Sequence, residues 1–237
     1  GAAGAPPKSP PKKTFESDVL KTAKGDITLT FIGHGTLMLK FGDKVVHIDP
    51  VGQYADYAKL PKADLILITH EHGDHLDARA IEQLSTDKTE IVLTAACRAQ
   101  LGKGTVMKNG DKSTAAGFAI EAVPAYNTNK FRSPGQPFHP RQAGNVGFVL
   151  TIGRRRIYHA GDTDAIPEME AVRADVALLP VSGTYVMTVA EAAQAAATIK
   201  PKVAVPMHVA AGIGSLADAA SFKAQAGVPV VVLPIEK

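Results

Sequence analysis

The 237-residue chain has a single cysteine, Cys97, so it can form no intrachain disulfide and no metal site built on paired thiolates. It also lacks any long hydrophobic run. Stretches such as Val228-Pro229-Val230-Val231-Val232-Leu233-Pro234 are strand-sized and bounded by proline, well short of the roughly 20 apolar residues of a membrane-spanning helix. Concentrated charge of one sign is missing too. The formal net charge of +3 is supplied by Lys8, Lys12 and Lys13, which sit in an opening segment without acids, so residues 14–237 are neutral overall. A neutral body argues against nucleic acid as a partner, since that binding needs a basic face. The one dense basic run, Arg154-Arg155-Arg156, lies between Leu150-Thr151-Ile152 and Ile157-Tyr158. It reads as a solvated hairpin turn or, alternatively, as a contact for an anionic partner.

What is present is a chain with 45% hydrophobic and 21% charged residues, which fits one globular domain over residues 14–237. Residues 1–13, rich in Ala, Pro and Lys, cannot bury a core and read as a disordered leader. A tether of this kind often follows a cleaved export signal, which favours an exported or periplasmic location over a cytoplasmic one. From Phe15 onward the pattern is strand-rich. Residues 26–32 and 36–41 alternate, and Val45 to Asp49 completes a meander. Asp64 to Ile68 is apolar enough for a strand buried on both faces, and Ala78 to Leu84 is helical with Asp77 as N-cap. Strands follow at about 117–123, 146–152, 156–160 and 175–179, then a helix opened by the capping-box pattern Thr188-Val189-Ala190-Glu191. A strand from Lys202 to Pro206, a helix from Leu216 to Gln225 and a strand from Val230 to Leu233 complete the chain. Two strand-rich halves with helices outside imply an α/β fold of αββα type, two sheets packed between helical layers.

The chemistry is concentrated in Thr69-His70-Glu71-His72-Gly73-Asp74-His75, directly after the buried strand. At a strand end, side chains two apart share a side, so His70 and His72 can converge on one cation. Gly73 permits a turn that swings Asp74 and His75 toward a second. Two later strands end in matching donors: Ile157 to Ala160 runs into Gly161-Asp162, and Val203 to Met207 runs into His208. Asp162 is assigned as the bridge between two ions and His208 as a ligand of the second. Imidazole and carboxylate suit zinc, the first expectation, and equally manganese, iron or nickel. Asp49, at the end of its strand, can orient a ligand imidazole from behind or simply form an Asp-Pro turn. His47 and His159 read as packed strand residues, and Ser182 to Tyr185 as a polar loop able to line a pocket.

The set T-H-E-H-G-D-H, then H-A-G-D-T-D, then P-M-H resembles the metallo-β-lactamase superfamily, and Gly33-His34-Gly35-Thr36 resembles its ascorbate-6-phosphate-lactonase-like, metal-dependent hydrolase branch. The resemblance covers nearly all of residues 26–237. It implies the αββα sandwich with an active site along one edge, and it suggests that His34 faces the cleft and binds substrate or an oxyanion, where a plain turn histidine is the alternative. It also exposes a departure. The superfamily completes its first metal site with a further histidine between the first motif and the Gly-Asp, and here Asn127 stands at the matching place. Either Asn127 coordinates through a weaker, neutral oxygen, or His139 supplies the nitrogen from a following loop that Pro134, Pro137 and Pro140 restrict.

The expected function is hydrolysis of a lactone, ester or phosphodiester by a hydroxide shared between two divalent metal ions, with Asp74 positioning or deprotonating the water. The substrate expected is a small molecule, possibly anionic, with Arg132 or Arg141 available to pair with a carboxylate or phosphate. Loops at 51–60 and 124–145 are expected to set specificity. The alternative is a metal-binding sensor or scaffold without turnover, motivated by Asn127.

Overall fold

The computed structural model describes Gly4 and residues 15–236; the expected leader at 1–13 lies, apart from Gly4, outside the described residues. The first sheet has seven strands in chain order: β1 (Glu16–Thr22), β2 (Gly25–Gly33), β3 (Thr36–Phe41), β4 (Lys44–Ile48), β5 (Leu65–Leu67), β6 (Glu90–Leu93) and β7 (Thr105–Val106). It begins as an antiparallel meander and turns parallel from β4 to β7. The second half opens with β8 (Lys112–Ala115) and β9 (Phe118–Pro124), followed by a small hairpin of β10 (Phe131–Ser133) and β11 (Gln136–Pro137). It continues with β12 (Val146–Ile152), β13 (Arg155–His159), β14 (Val176–Pro180) and β15 (Val203–Met207). Its sheet runs β15-β14-β13-β12-β9-β8, antiparallel on one side and parallel from β13 to β15. Each half therefore ends in parallel strands, and parallel neighbours bring their C-terminal ends to the same edge.

Side-chain alternation explains the layers. Ile27, Leu29 and Phe31 of β2 and Leu65 and Leu67 of β5 enter one large core with Phe148, Ile157 and Leu178 of the other sheet. Ile66 and Ile68 point the opposite way, into a second cluster with Ile81 and Leu84 of α1 (Ala78–Leu84) and Cys97 of α2 (Ala95–Leu101). On the far side, Ala192 and Ala196 of α3 (Val189–Ile199) and Phe222 of α4 (Leu216–Gln225) cover the second sheet. The architecture is the αββα sandwich. Among the described residues no helix is long and apolar enough to cross a membrane.

Two sequence expectations need correction. Residues 230–233 form no strand: Val230 makes a single bridge to Ala204, and prolines at 229 and 234 interrupt the ladder. The arginine run is not a solvated turn. Only Arg154 occupies it, at φ +70°, whereas Arg155 and Arg156 belong to β13 and pair with Asp175 and Glu121. Their anionic partners lie within the chain.

Candidate metal centre

The site is assembled from strand ends. Past β5, the backbone N–H of Thr69 donates to Asp49 Oδ1 (2.8 Å) and its hydroxyl to Asp49 Oδ2 (2.6 Å), tying the end of β5 to the residue that follows β4. The His75 ring donates from Nδ1 to the same Asp49 Oδ2 at 2.7 Å, and His70 Nδ1 donates to Thr69 Oγ1 at 2.9 Å. Residues 72–76 close a tight turn in which the backbone N–H groups of His75 and Leu76 both donate to the His72 carbonyl at 2.9 Å. That turn carries Asp74 and His75 round beside His70.

The second sheet contributes the centre. Asp162 follows β13 through Gly161, whose φ of +67° and whose approach to the Val146 carbonyl, 2.8 Å from an added Cβ, restrict that position to glycine. Around Asp162 Oδ2 stand four Nε2 atoms: His75 at 3.2 Å, His139 and His208 at 3.3 Å, and His70 at 3.5 Å. Each of these rings donates its Nδ1–H elsewhere, His208 to Ser182 Oγ (2.9 Å) and His139 to the Tyr185 carbonyl (3.2 Å). This anchors each ring through Nδ1 and turns every Nε2 inward.

Asn127 and His139 have different places. His139 joins the cluster, whereas the Asn127 oxygen accepts the His139 backbone N–H at 2.7 Å and its amide nitrogen donates to the Tyr185 carbonyl at 2.9 Å. In this arrangement Asn127 braces His139, whose backbone N–H its oxygen accepts. His34 also differs from expectation. Fully buried, with φ +58°, it donates from Nε2 to Asp74 Oδ2 at 2.7 Å and packs 4.0 Å from the His208 ring, so it acts on Asp74 and not on a molecule in the cleft. Two groups of donors result, His70–His72–His139 and His34–Asp74–His75–His208, each with ligand atoms within 4.8 Å of one another.

A metal ion fits these residues. The Nε2 atoms of His70, His75 and His208 and Asp162 Oδ1 are buried without a hydrogen-bond partner among the described residues. Leaving such atoms bare costs roughly 1–3 kcal/mol apiece, a cost that a cation accepting their lone pairs removes.

Residues 28–208 match the family model described as a β-lactamase superfamily domain. A UPF0173 metal-dependent hydrolase of Thermoplasma acidophilum is 33% identical over 230 residues, covering 89% of this chain and 99% of that protein. The chain belongs to the metallo-β-lactamase superfamily. Within it the chain is a member of the UPF0173 metal-dependent hydrolase family. A solved structure from Parabacteroides distasonis, whose name places it among metal-dependent hydrolases, is 44% identical with a TM-score of 0.85, covering 94% of this chain and 100% of that one. A metallo hydrolase from Ignicoccus hospitalis is 26% identical with a TM-score of 0.71, covering 89% and 95%.

Electrostatics in this site follow from burial set against pairing. Burial disfavours the charged forms throughout, and it pushes the His70 ring down to about 4 and lowers His34 and His72. At Asp162 burial is overcome by His75, His208 and His70, which hold the carboxyl well below its usual range. At Asp74 burial is overcome by the hydrogen bond from His34 and by His75, so its carboxyl is held low as well. Both acids are therefore anions.

Beside the cluster lies a pocket of about 490 Å³ lined by His72, Asp74, Arg132, Phe138, His139, Asp162 and Tyr185. Of the two arginines expected to meet an anion, only Arg132 reaches it; Arg141 pairs with Glu168 at 3.0 Å and stacks on Tyr126. The expected specificity loop at 51–60 does not reach it. Tyr54 and Tyr57 are buried, Tyr54 stacking 5.7 Å from His34. Thr69, Ser182 and Asp164 support the site without having been singled out for that task, because their partners come from distant strands.

Proposed function

We propose that the chain is a binuclear hydrolase of lactones, esters or phosphodiesters. In this reading His70, His72 and His139 would hold one divalent ion and Asp74, His75 and His208 the other, with Asp162 available to both. The observation that carries it is the set of four inward Nε2 atoms at 3.2–3.5 Å from the single Asp162 Oδ2, each ring anchored through Nδ1 from behind. Zinc, manganese, iron or nickel bound there would supply Lewis acidity and a water of near-neutral pKa. The chain's own residues do the rest. His34, kept neutral by burial, donates from Nε2 and holds the Asp74 carboxylate at the pocket wall. A carboxyl held so far below neutrality is a weak base, so Asp74 orients a water by accepting its proton in a hydrogen bond and does not abstract it. Phe138 and Tyr185 meet edge to face, with ring centroids 4.6 Å apart, and give the pocket an apolar wall.

Against the sensor alternative stands the hydrogen bond from the His139 backbone N–H to the Asn127 oxygen, which braces a histidine that joins the cluster. Metal analysis of the purified protein together with turnover of bis(4-nitrophenyl) phosphate, an aryl ester and a lactone tests the proposal. Two equivalents per chain with turnover of any of these is expected, and Asp74→Ala and His72→Ala should each abolish it with the fold intact. Full turnover by metal-free protein, or one equivalent with silence on all three, would overturn the reading.

A further inference from the structure

The cations of residues 128–141 differ in one respect. Lys130 is held at 2.7 Å by both Asp164 and Glu191, and Arg141 is held by Glu168. Arg132 has no carboxylate within ion-pair distance among the described residues. Its guanidinium lies 5.4 Å over the ring of Phe138, which itself packs on Tyr185, and all three line the pocket. One wall of the pocket therefore offers an apolar aromatic surface ending in a single free guanidinium. His72, Asp74, His139 and Asp162 of the metal centre line the same pocket.

We infer that Arg132 with Phe138 and Tyr185 is a substrate subsite, and that the substrate is a small organic ester or lactone bearing a carboxylate remote from the scissile bond. This rests on the hydrolase reading above. The guanidinium fork matches a carboxylate or a phosphate in plane, with two parallel N–H donors. A dianionic phosphate monoester calls for more positive charge than this pocket wall holds, and here the neighbouring cations are already neutralised, so the single free charge matches a monoanion. The aromatic pair suits an apolar body between the charged end and the reacting carbonyl. About 490 Å³ admits a small molecule.

The test uses metal-loaded protein, wild type, Arg132→Ala and Arg132→Lys. Because the Arg132 side chain is exposed, both variants should keep the wild-type melting temperature. Two readouts are taken. The first is kcat/KM for 4-nitrophenyl hydrogen glutarate and for its neutral methyl ester. The second is calorimetric titration with 3-phenylpropanoate, 3-phenylpropanamide and phenyl phosphate. Arg132→Ala should lower kcat/KM for the anionic ester and affinity for 3-phenylpropanoate by about 10- to 100-fold, the span of a hydrogen-bonded charge pair, and leave the neutral compounds unchanged. Arg132→Lys should recover part of the loss. Equal effects on charged and neutral compounds, or none on either, would overturn the subsite. Tighter, Arg132-dependent binding of phenyl phosphate than of 3-phenylpropanoate would overturn the carboxylate in favour of a phosphate. If neither ester turns over while 3-phenylpropanoate binding still depends on Arg132, the hydrolase reading fails and the subsite stands.

Discussion

Asp164, two positions past Asp162, is wholly buried and never faces the metal cluster. Its Oδ2 accepts the backbone N–H groups of Thr128 (2.8 Å) and Asn129 (3.2 Å) and the Asn127 amide (3.3 Å), and its Oδ1 accepts Lys130 Nζ (2.7 Å). It thereby holds the loop that holds His139. Asp164→Asn removes an acceptor and inserts a donor among donors, so metal affinity should fall by about 10- to 100-fold, read by competition with a chromogenic chelator. Unchanged affinity would show that the loop places His139 without it. A different residue sets a pH response. His47 donates from Nε2 to the Pro61 carbonyl at 3.0 Å, and burial pushes its ring from 6.5 down to about 4. The unfolded chain takes up this proton near 6.5, and the folded chain resists it until about 4. The stability contributed by the neutral ring is thus complete above 6.5 and is lost as pH falls toward 4. Across that window, urea unfolding of His47→Gln should show a pH slope smaller than that of wild type by up to about 1.4 kcal/mol per unit. Equal slopes would remove His47 as the source.

At the scale of elements, α3 couples a helix cap to the site. Thr188 Oγ1 accepts the Glu191 backbone N–H at 3.2 Å, and the Glu191 carboxylate accepts the Thr188 N–H at 2.9 Å, the capping box expected from the sequence. The same carboxylate also accepts Lys130 Nζ at 2.7 Å and the Asn129 amide at 2.8 Å, joining α3 to the loop under His139. Thr188→Ala should cost about 1 kcal/mol in urea unfolding and leave metal affinity unchanged. Glu191→Gln should reduce both. If Glu191→Gln changed stability alone, the helix and the loop would be energetically separate. Helices α1, α3 and α4 were legible because cap residues and apolar spacing coincide in them. β1 and the β6–α2–β7 unit were not, since Glu16 to Thr22 is a half-exposed edge strand and Glu90–Leu93 is too short for periodicity to show.

Across the whole molecule, the parallel strands of both sheets end at one edge, and buried lone pairs collect there. Folding without a cation leaves the Nε2 atoms of His70, His75 and His208 bare, so binding and folding are linked. Each site saturated at a thousand times its dissociation constant should add about 4 kcal/mol of stability. A large drop in melting temperature on chelation, reversed by added zinc or manganese, is expected from scanning calorimetry. Identical melting with and without chelator would contradict a folded site that binds metal.

The sequence by itself determined the layered fold and most of the candidate donors. Strand periodicity, helix caps and the spacing of His70, His72, Asp74 and His75 are local, and each is readable within a few residues. It left Asn127 and His139 both open, leaning to His139, because the choice depends on which atoms are already occupied. Only the tertiary structure commits the Asn127 oxygen to the His139 backbone N–H and brings the His139 ring to Asp162. The same holds for His34 on Asp74 and Ser182 on His208, pairs 40 and 26 positions apart in the chain that meet only because both sheets end at the same edge.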